Sequence, residues 1–526
     1  MRRKHVFFAA TAVLGLPLVV GAFHLQSRSP TDSARLFAQV LQKVEESAVD
    51  SLSRSDLYER AARGMVRNLK DPYADLYSPE ELASFQRQTL RNNYGGVGMQ
   101  IESQDGAIIV ARVFPNAPGE SGGVLAGDRI VFVDSSAVTG WSLDKVSNKL
   151  LGTPGTQVEV TFARAGLPQP IKTKFTRAIV KVPAVPYAVT LEGRTGYIPL
   201  QSFNESAAGD VERSLLRLRE QGAKSFIIDL RGNGGGSLDQ ALEISNLFER
   251  PGAELASVRH RGRQPEIYRA NRPSIVDSMP IVVLVDGYTA SASEIVAGSL
   301  QDHDRALVVG TVSFGKGLVQ TLFPLEGGWA VKLTTGKWYT PSGRSIQADH
   351  DRLGDERFVE YANDSSSTDT TKHKRPVFKS DAGRTIYGGG GVTPDIAVAL
   401  DTLPAPERDF VRALGAQQAQ WYVAVYSTAL ELKPTVKYDF TVQQAWRDKL
   451  FDRLQKAKVS VTRPQYDAAM PFVDRAIEQR VASLAFGDSA AFRRSTKYDD
   501  QLATALDLLK RSGTQRTLLA LAEVKK

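Results

Sequence analysis

The chain of 526 residues has no cysteine. Disulfides, cysteine nucleophiles and cysteine-rich metal sites are therefore excluded. Histidine is scarce: six residues are scattered along the chain, and no His/Asp/Glu grouping has the spacing of metal ligands. Neither a metal nor another cofactor is expected. The net charge of +8 is modest for this length, and Arg2, Arg3 and Lys4 supply three of those charges. No basic tract interleaved with aromatics appears, so nucleic acid is not an expected partner. Long apolar runs are missing apart from residues 6–23, so at most one segment has the length to span a bilayer. The glycine cluster at 231–236 lacks the Gly-Lys-Ser/Thr ending of a phosphate loop, and no GxGxxG follows a strand, which argues against nucleotide binding.

What remains is ordinary globular composition, with 42% hydrophobic and 24% charged residues, in a chain long enough for several domains. Residues 1–24, a basic start followed by an apolar run that Pro17 interrupts, read as a secretion signal or an amino-terminal membrane anchor. By the positive-inside rule the rest then lies outside the cytoplasm, in the periplasm or on the extracellular face of the inner membrane. Residues 30–91 are helical in pattern. Leu36, Val40, Leu41 and Val44, then Leu57, Ala61, Met65 and Leu69, recur at helix spacing and suit a packing or dimer-forming arm. Residues 92–178 form a β-rich module with one short amphipathic helix carrying Leu143, Val146 and Leu150. Residues 179–402 alternate strands (196–203, 225–230, 280–285, 306–309) with helices (207–221, 238–248), the pattern of a largely parallel sheet covered by helices. Within that segment, residues 360–374 are polar and low in complexity and read as a mobile insertion. Residues 403–526 are helical again, with stripes at Trp446, Leu450, Leu454 and at Leu502, Ala505, Leu506, Leu509. These fit a core or a subunit interface, and the sequence assigns this tail no function.

The chemistry gathers in residues 279–325. A buried strand is broken at Asp286-Gly287, and Ser291-Ala292-Ser293-Glu294 opens a helix. A serine at that turn sits beside unpaired backbone N–H groups that can stabilise an oxyanion. Lys316 stands in a glycine-flanked loop. If the chain is already extended there, alternation puts Lys316, Leu318 and Gln320 on one face. Serine needs a base. A lysine can serve if burial brings its pKa down from ~10.4 towards neutrality, and Phe314, Leu318 and Val319 are the neighbours that would desolvate it. Gln320 would hold the amine without adding charge. Each piece also has a plainer reading: Ser291 as a helix cap, Lys316 as a solvated turn residue. Ser293 is a rival nucleophile that residue chemistry barely separates from Ser291. The bare backbone at 231–236 suits close approach to a scissile carbonyl. An N–H near Gly235, with that of Ala292, would form the oxyanion hole. A Ser-His-Asp arrangement using His303 is the internal rival.

Three motifs, TASASEI at 289–295, FGKGLVQ at 314–320 and DLRGNGGG at 229–236, resemble those of the carboxy-terminal processing (tail-specific) peptidases, serine proteases with a Ser-Lys pair. The resemblance implies Ser291 as nucleophile, Lys316 as general base and Gln320 as the residue orienting it, with Glu294 and Asp302 as supporting acidic positions. It also implies an α/β multidomain fold: a core akin to the Clp protease and crotonase folds, an inserted β-rich domain, and helical regions at both ends. The module at 92–178, with AGDRIVFV at 126–133, resembles a PDZ domain. Such a module captures a peptide carboxyl terminus as an added strand, with the carboxylate in the glycine loop. Gly96, Val97, Gly98, Met99, Ile101, Val146 and Leu150 are the expected slot. The expected function is an extracytoplasmic serine endopeptidase acting through an acyl-enzyme on proteins bound by their carboxyl termini, with a membrane tether or homo-oligomer formed through its termini. The alternative is a catalytically idle PDZ peptide-binding scaffold.

Overall fold

Ile281–Val285 (IVVLV) is apolar at every position, the pattern of a strand buried on both faces. In the computed structural model all five residues are buried. The structure describes residues 30–524 apart from 51, 87–92, 105–106, 115, 165–166, 168, 349–374 and 401. The signal or anchor expected at 1–24 and the insertion at 360–374 lie outside the described residues. Among the described residues no helix is long and apolar enough to cross a membrane.

That strand lies in a six-stranded sheet of β1 (Val189–Leu191), β2 (Thr195–Pro199), β3 (Ser225–Asp229), β4 (Ile281–Val285), β5 (Leu307–Gly310) and β6 (Ile396–Ala397) in spatial order. The β1–β2 pair is antiparallel and the others are parallel. Side-chain alternation divides each strand between two cores. Ile281, Val283 and Val285 join Phe226 and Ile228 under α1 (Ala207–Glu220), α2 (Leu238–Asn246) and α3 (Ala292–Asp302). Val282 and Leu284 face the other way, with Ile227, Leu307 and Val309. There they meet Leu502, Ala505 and Leu508 of α4 (Asp500–Arg511) and Leu518 of α5 (Gln515–Val524). The carboxy-terminal stripe thus covers the second face of this sheet. Gln515 also accepts the Ile281 N–H at 2.9 Å, tying α5 to the start of β4.

The β-rich module is a six-stranded antiparallel sheet: Met99–Gln104, Ala107–Val113, Arg129–Val133, Gln157–Ala163 and Ile171–Thr176 follow one another across it, and the short strand Ser136–Ala137 pairs with Arg129–Val133. The first of these stands at the sheet edge, with helix Leu143–Leu150 beside it. A further cluster of carboxy-terminal helices buries Trp421, Leu450, Leu454 and Ile477, and Ile109 and Ala126 of the β-rich module pack against it.

The amino-terminal arm forms a unit with residues 322–334. It consists of helices Pro30–Ser47 and Arg54–Arg67 and a strand, Asp75–Tyr77, paired antiparallel with residues 330–332. Leu41, Leu57 and Val66 are buried, whereas Leu36, Phe37, Val40 and Val44 are exposed.

Candidate active site and peptide groove

The break after β4 is a turn organised by Asp286. Its carboxylate accepts the N–H groups of Tyr288 and Thr289 at 3.0 Å and, across the fold, that of Gly232 at 3.0 Å. The turn delivers Ser291 to the start of α3 with φ +57° and ψ −114°. A residue with a Cβ rarely adopts a positive φ, and such strain persists only where the surroundings enforce it. Ala292, the first residue of α3, has no acceptor for its N–H within the helix.

The enforcing group is Glu294. Its side chain is fully buried, yet it satisfies four donors. One oxygen accepts the N–H of Ser291 and that of Lys316, each at 2.8 Å. The other accepts the Ser313 hydroxyl at 2.5 Å and the Gly315 N–H at 2.6 Å. The backbone nitrogens of Ser291 and Lys316 are therefore no farther apart than twice 2.8 Å. Burial pushes the Glu294 carboxyl up to about 7, while the four donors pull it down. Three of those donors are backbone N–H groups that cannot reverse their polarity, so the arrangement suits the ionised carboxylate.

Lys316 is half-buried. The buried Trp338 donates its indole N–H to the Lys316 carbonyl at 3.1 Å and its backbone N–H to Gly317 at 3.1 Å. Gly315 and Gly317 let the segment 346–348 approach the loop closely. At Gly315, φ is +86° and an added Cβ would lie 2.7 Å from Ala348 Cβ. Phe314, Leu318 and Val319, in the same loop and the strand after it, are each half-buried. Gln320 lies in strand Leu318–Pro324, and its amide nitrogen is buried with no hydrogen-bond partner among the described residues.

The glycine-rich loop closes on the serine. Gly235 has φ +99°, and a Cβ there would sit 2.9 Å from Ser291 Cβ and 2.7 Å from the Ala290 oxygen. Only glycine fits. The expectation that the Gly235 N–H faces an oxyanion needs correction: it donates to the Asn233 side chain at 2.9 Å. Asn233 is itself a hub. Its side chain donates to Leu200 at 2.7 Å, and its carbonyl accepts the Ala290 N–H at 3.0 Å and the Ser293 hydroxyl at 2.9 Å. That last bond, with complete burial of Ser293, separates the two serines that residue chemistry alone left close.

Two residues fall elsewhere. Asp302 and His303 stand at the far end of α3, roughly 16–18 Å from Ser291 at 1.5 Å per residue. Asp302 pairs with Arg344 at 2.7 Å, both side chains buried, and accepts the Ser342 N–H at 2.9 Å. His303 contacts Asp381 at 2.9 Å and the Glu254 carbonyl at 2.6 Å. Asp302 supports the fold rather than the serine, and a Ser291–His303 pair is excluded by distance. Helical spacing gave the signal in advance: side chains eleven or twelve residues apart along a helix cannot come together.

The β-rich module holds a cavity of about 640 Å³ between its edge strand and helix Leu143–Leu150. Val97, Gly98, Met99, Ile101 and Leu150 line it, as expected. Val146 does not: it is wholly buried in the module's own core, one helical face away. Gly96 is held in the pairing of Asn93–Gly96 with Ala178–Lys181. Ser147 and Asn148, one turn along the helix from Leu143, line the groove instead.

The chain matches peptidase family S41 over residues 194–351 and the PDZ domain over residues 109–164. It is 36% identical over 356 residues to a carboxy-terminal-processing protease of Bartonella bacilliformis, covering 66% of this chain and 81% of that one. With the carboxy-terminal processing protease CtpA of Bacillus subtilis it shares 32% identity over 325 residues, 61% of this chain and 69% of the relative. Among solved structures, a photosystem II D1 C-terminal processing protease is 31% identical, with 62% of this chain and 90% of that one covered at a TM-score of 0.34. The motifs around Ser291, Lys316 and the glycine loop, the parallel core and the inserted peptide module therefore belong together: this chain is a member of the carboxy-terminal processing proteases, serine-type peptidases of family S41 that carry a PDZ domain.

Proposed function

We propose that the peptidase works through Ser291 and Lys316. The observation that carries this reading is the single Glu294 oxygen shared by the N–H groups of both residues, which fixes nucleophile and base to one buried anchor. In its neutral form, the Lys316 amine takes the Ser291 hydroxyl proton as Oγ attacks the scissile carbonyl. The Ala292 N–H and the glycine loop stabilise the tetrahedral oxyanion. The ammonium returns its proton to the leaving amine, and water, activated by the same lysine, hydrolyses the acyl-enzyme. Gln320, whose buried amide nitrogen has no hydrogen-bond partner among the described residues, orients the amine. A substrate carboxyl terminus docks in the groove beside Met99–Gln104, whose edge is open to an added strand.

The basic start and apolar run at 1–24 support export, with or without a retained anchor, to the periplasmic side of the inner membrane. The exposed apolar face of the arm, with Leu36, Phe37 and Val40, supports self-association. Ser291→Ala and Lys316→Ala, assayed separately on an unfolded protein with a free carboxyl terminus, are each expected to lose at least ~10³-fold in kcat while still binding a carboxyl-terminal peptide. Full turnover in either variant would overturn the assignment.

A further inference from the structure

The glycine-rich loop is anchored at both ends. At its far end Gly235 packs on Ser291. At its start the Arg231 guanidinium lies between two carboxylates. Nε and Nη2 donate to Asp229 at 2.9 and 2.6 Å. Nη1 and Nη2 donate to Asp499 at 2.9 and 2.8 Å, and Nη1 also reaches Gln501 at 3.1 Å. The Arg231 side chain is 18% exposed. A guanidinium gripped through paired bonds on two sides has its orientation fixed, which a point charge would not achieve.

Asp499 comes from the other end of the sequence and is itself immobilised. It is the N-cap of α4, accepting the Leu502 N–H at 2.9 Å. Leu502, Ala505 and Leu508 of that helix are fully buried against the sheet. Gln501 donates onward to the Val398 carbonyl at 2.9 Å, and Asp229 takes the Tyr197 hydroxyl at 2.7 Å. A rigid path thus runs from the back of the catalytic sheet, through Asp499 and Arg231, into the loop beside the nucleophile.

We propose that Asp499 is a positioning residue for the peptidase reaction: acting through Arg231, it sets the glycine-rich loop against Ser291 and so makes the carboxy-terminal helices part of the catalytic apparatus. This rests on the reading of Ser291 as nucleophile. A misplacement of about 1 Å at reacting groups costs roughly 10²-fold in rate, so releasing one side of the clamp is expected to lower kcat by roughly 10- to 100-fold without affecting capture of the substrate tail.

The test uses the full chain with Asp499→Ser and Asp499→Asn. Serine and asparagine cap helices about as well as aspartate, so α4 keeps its start while the charge facing Arg231 is lost. The expected result is a kcat per folded molecule lowered at least about tenfold in both variants, measured at a temperature where both are fully folded, with KM and carboxyl-terminal peptide affinity within about twofold. A merely structural role would instead lower activity in proportion to the folded fraction, with recovery on cooling, and that result overturns the proposal. So does a wild-type kcat in both folded variants. Ser291→Ala is run in parallel. If it is inactive while Asp499→Ser turns over normally, this inference alone falls; if it is active, the nucleophile assignment falls and takes the inference with it.

Discussion

The two ends of α3 solve different problems with similar residues. At the amino end Glu294 is buried among three backbone donors and one hydroxyl. At the carboxyl end Asp302 is buried against a buried arginine, Arg344. Backbone N–H groups cannot leave, swing or deprotonate, so a carboxylate that collects them fixes main chain. A guanidinium compensates charge and ties together side chains from distant loops. The first arrangement suits a place where a serine must be held in a strained conformation; the second suits a joint. One helix therefore carries an end that fixes main chain and an end that ties distant loops together, although both present a buried acid.

The largest effect that breaks this comparison is expected from Glu294→Gln. The amide retains one acceptor oxygen and turns two N–H groups towards donors that previously had a carboxylate. Buried donors left unsatisfied cost about 1–3 kcal/mol each. With the Ser291 and Lys316 backbones both affected, kcat is expected to fall at least ~10²-fold beyond any loss of folded protein. Steady-state kinetics on a variant shown to be folded by circular dichroism check this. A normal kcat would mean that the shared oxygen does not set the site.

Asp302→Ala is expected to do the reverse. Removing one partner of a buried ion pair costs about 3–5 kcal/mol because the other charge is stranded. Thermal and urea unfolding are expected to show that loss, while kcat per folded molecule stays within about threefold. A large kcat loss at full folding would erase the distinction between the two ends.

The same contrast marks how far the residues alone could be read. Short motifs placed Ser291, Lys316 and the glycine loop, because a strand break, a helix start and a run of glycines are local signals. Three features needed the third dimension. Val146 shares a helical stripe with Leu143 and Leu150, yet it points into the module's core, since an apolar stripe is wide enough to serve both a groove and an interior. The Gly235 N–H is taken by the Asn233 side chain only two residues earlier, a turn bond that glycine content does not reveal. Leu502, Ala505 and Leu508 form a helix face that reads equally well as core or interface. What decided between them was the second face of the six-stranded sheet, Val282, Leu284, Leu307 and Val309, on which these residues pack together with Leu518 and Phe492.

The smallest predicted effect is the most selective test of the amino end of α3. Ser291 holds φ +57°, ψ −114°, a conformation that costs a residue with a Cβ on the order of 1–3 kcal/mol and costs glycine little. Ser291→Ala and Ser291→Gly both remove the hydroxyl and are expected to be equally inactive. They differ only in whether the strain remains. The glycine variant also gains backbone freedom in the unfolded chain, worth about 0.4–1 kcal/mol against it, so the two terms oppose. If the strain is as large as the dihedrals imply, Ser291→Gly unfolds at a higher urea concentration than Ser291→Ala, by about 1 kcal/mol. If it unfolds earlier, the geometry at Ser291 is relaxed, and Glu294 is holding in place a turn that needs no holding.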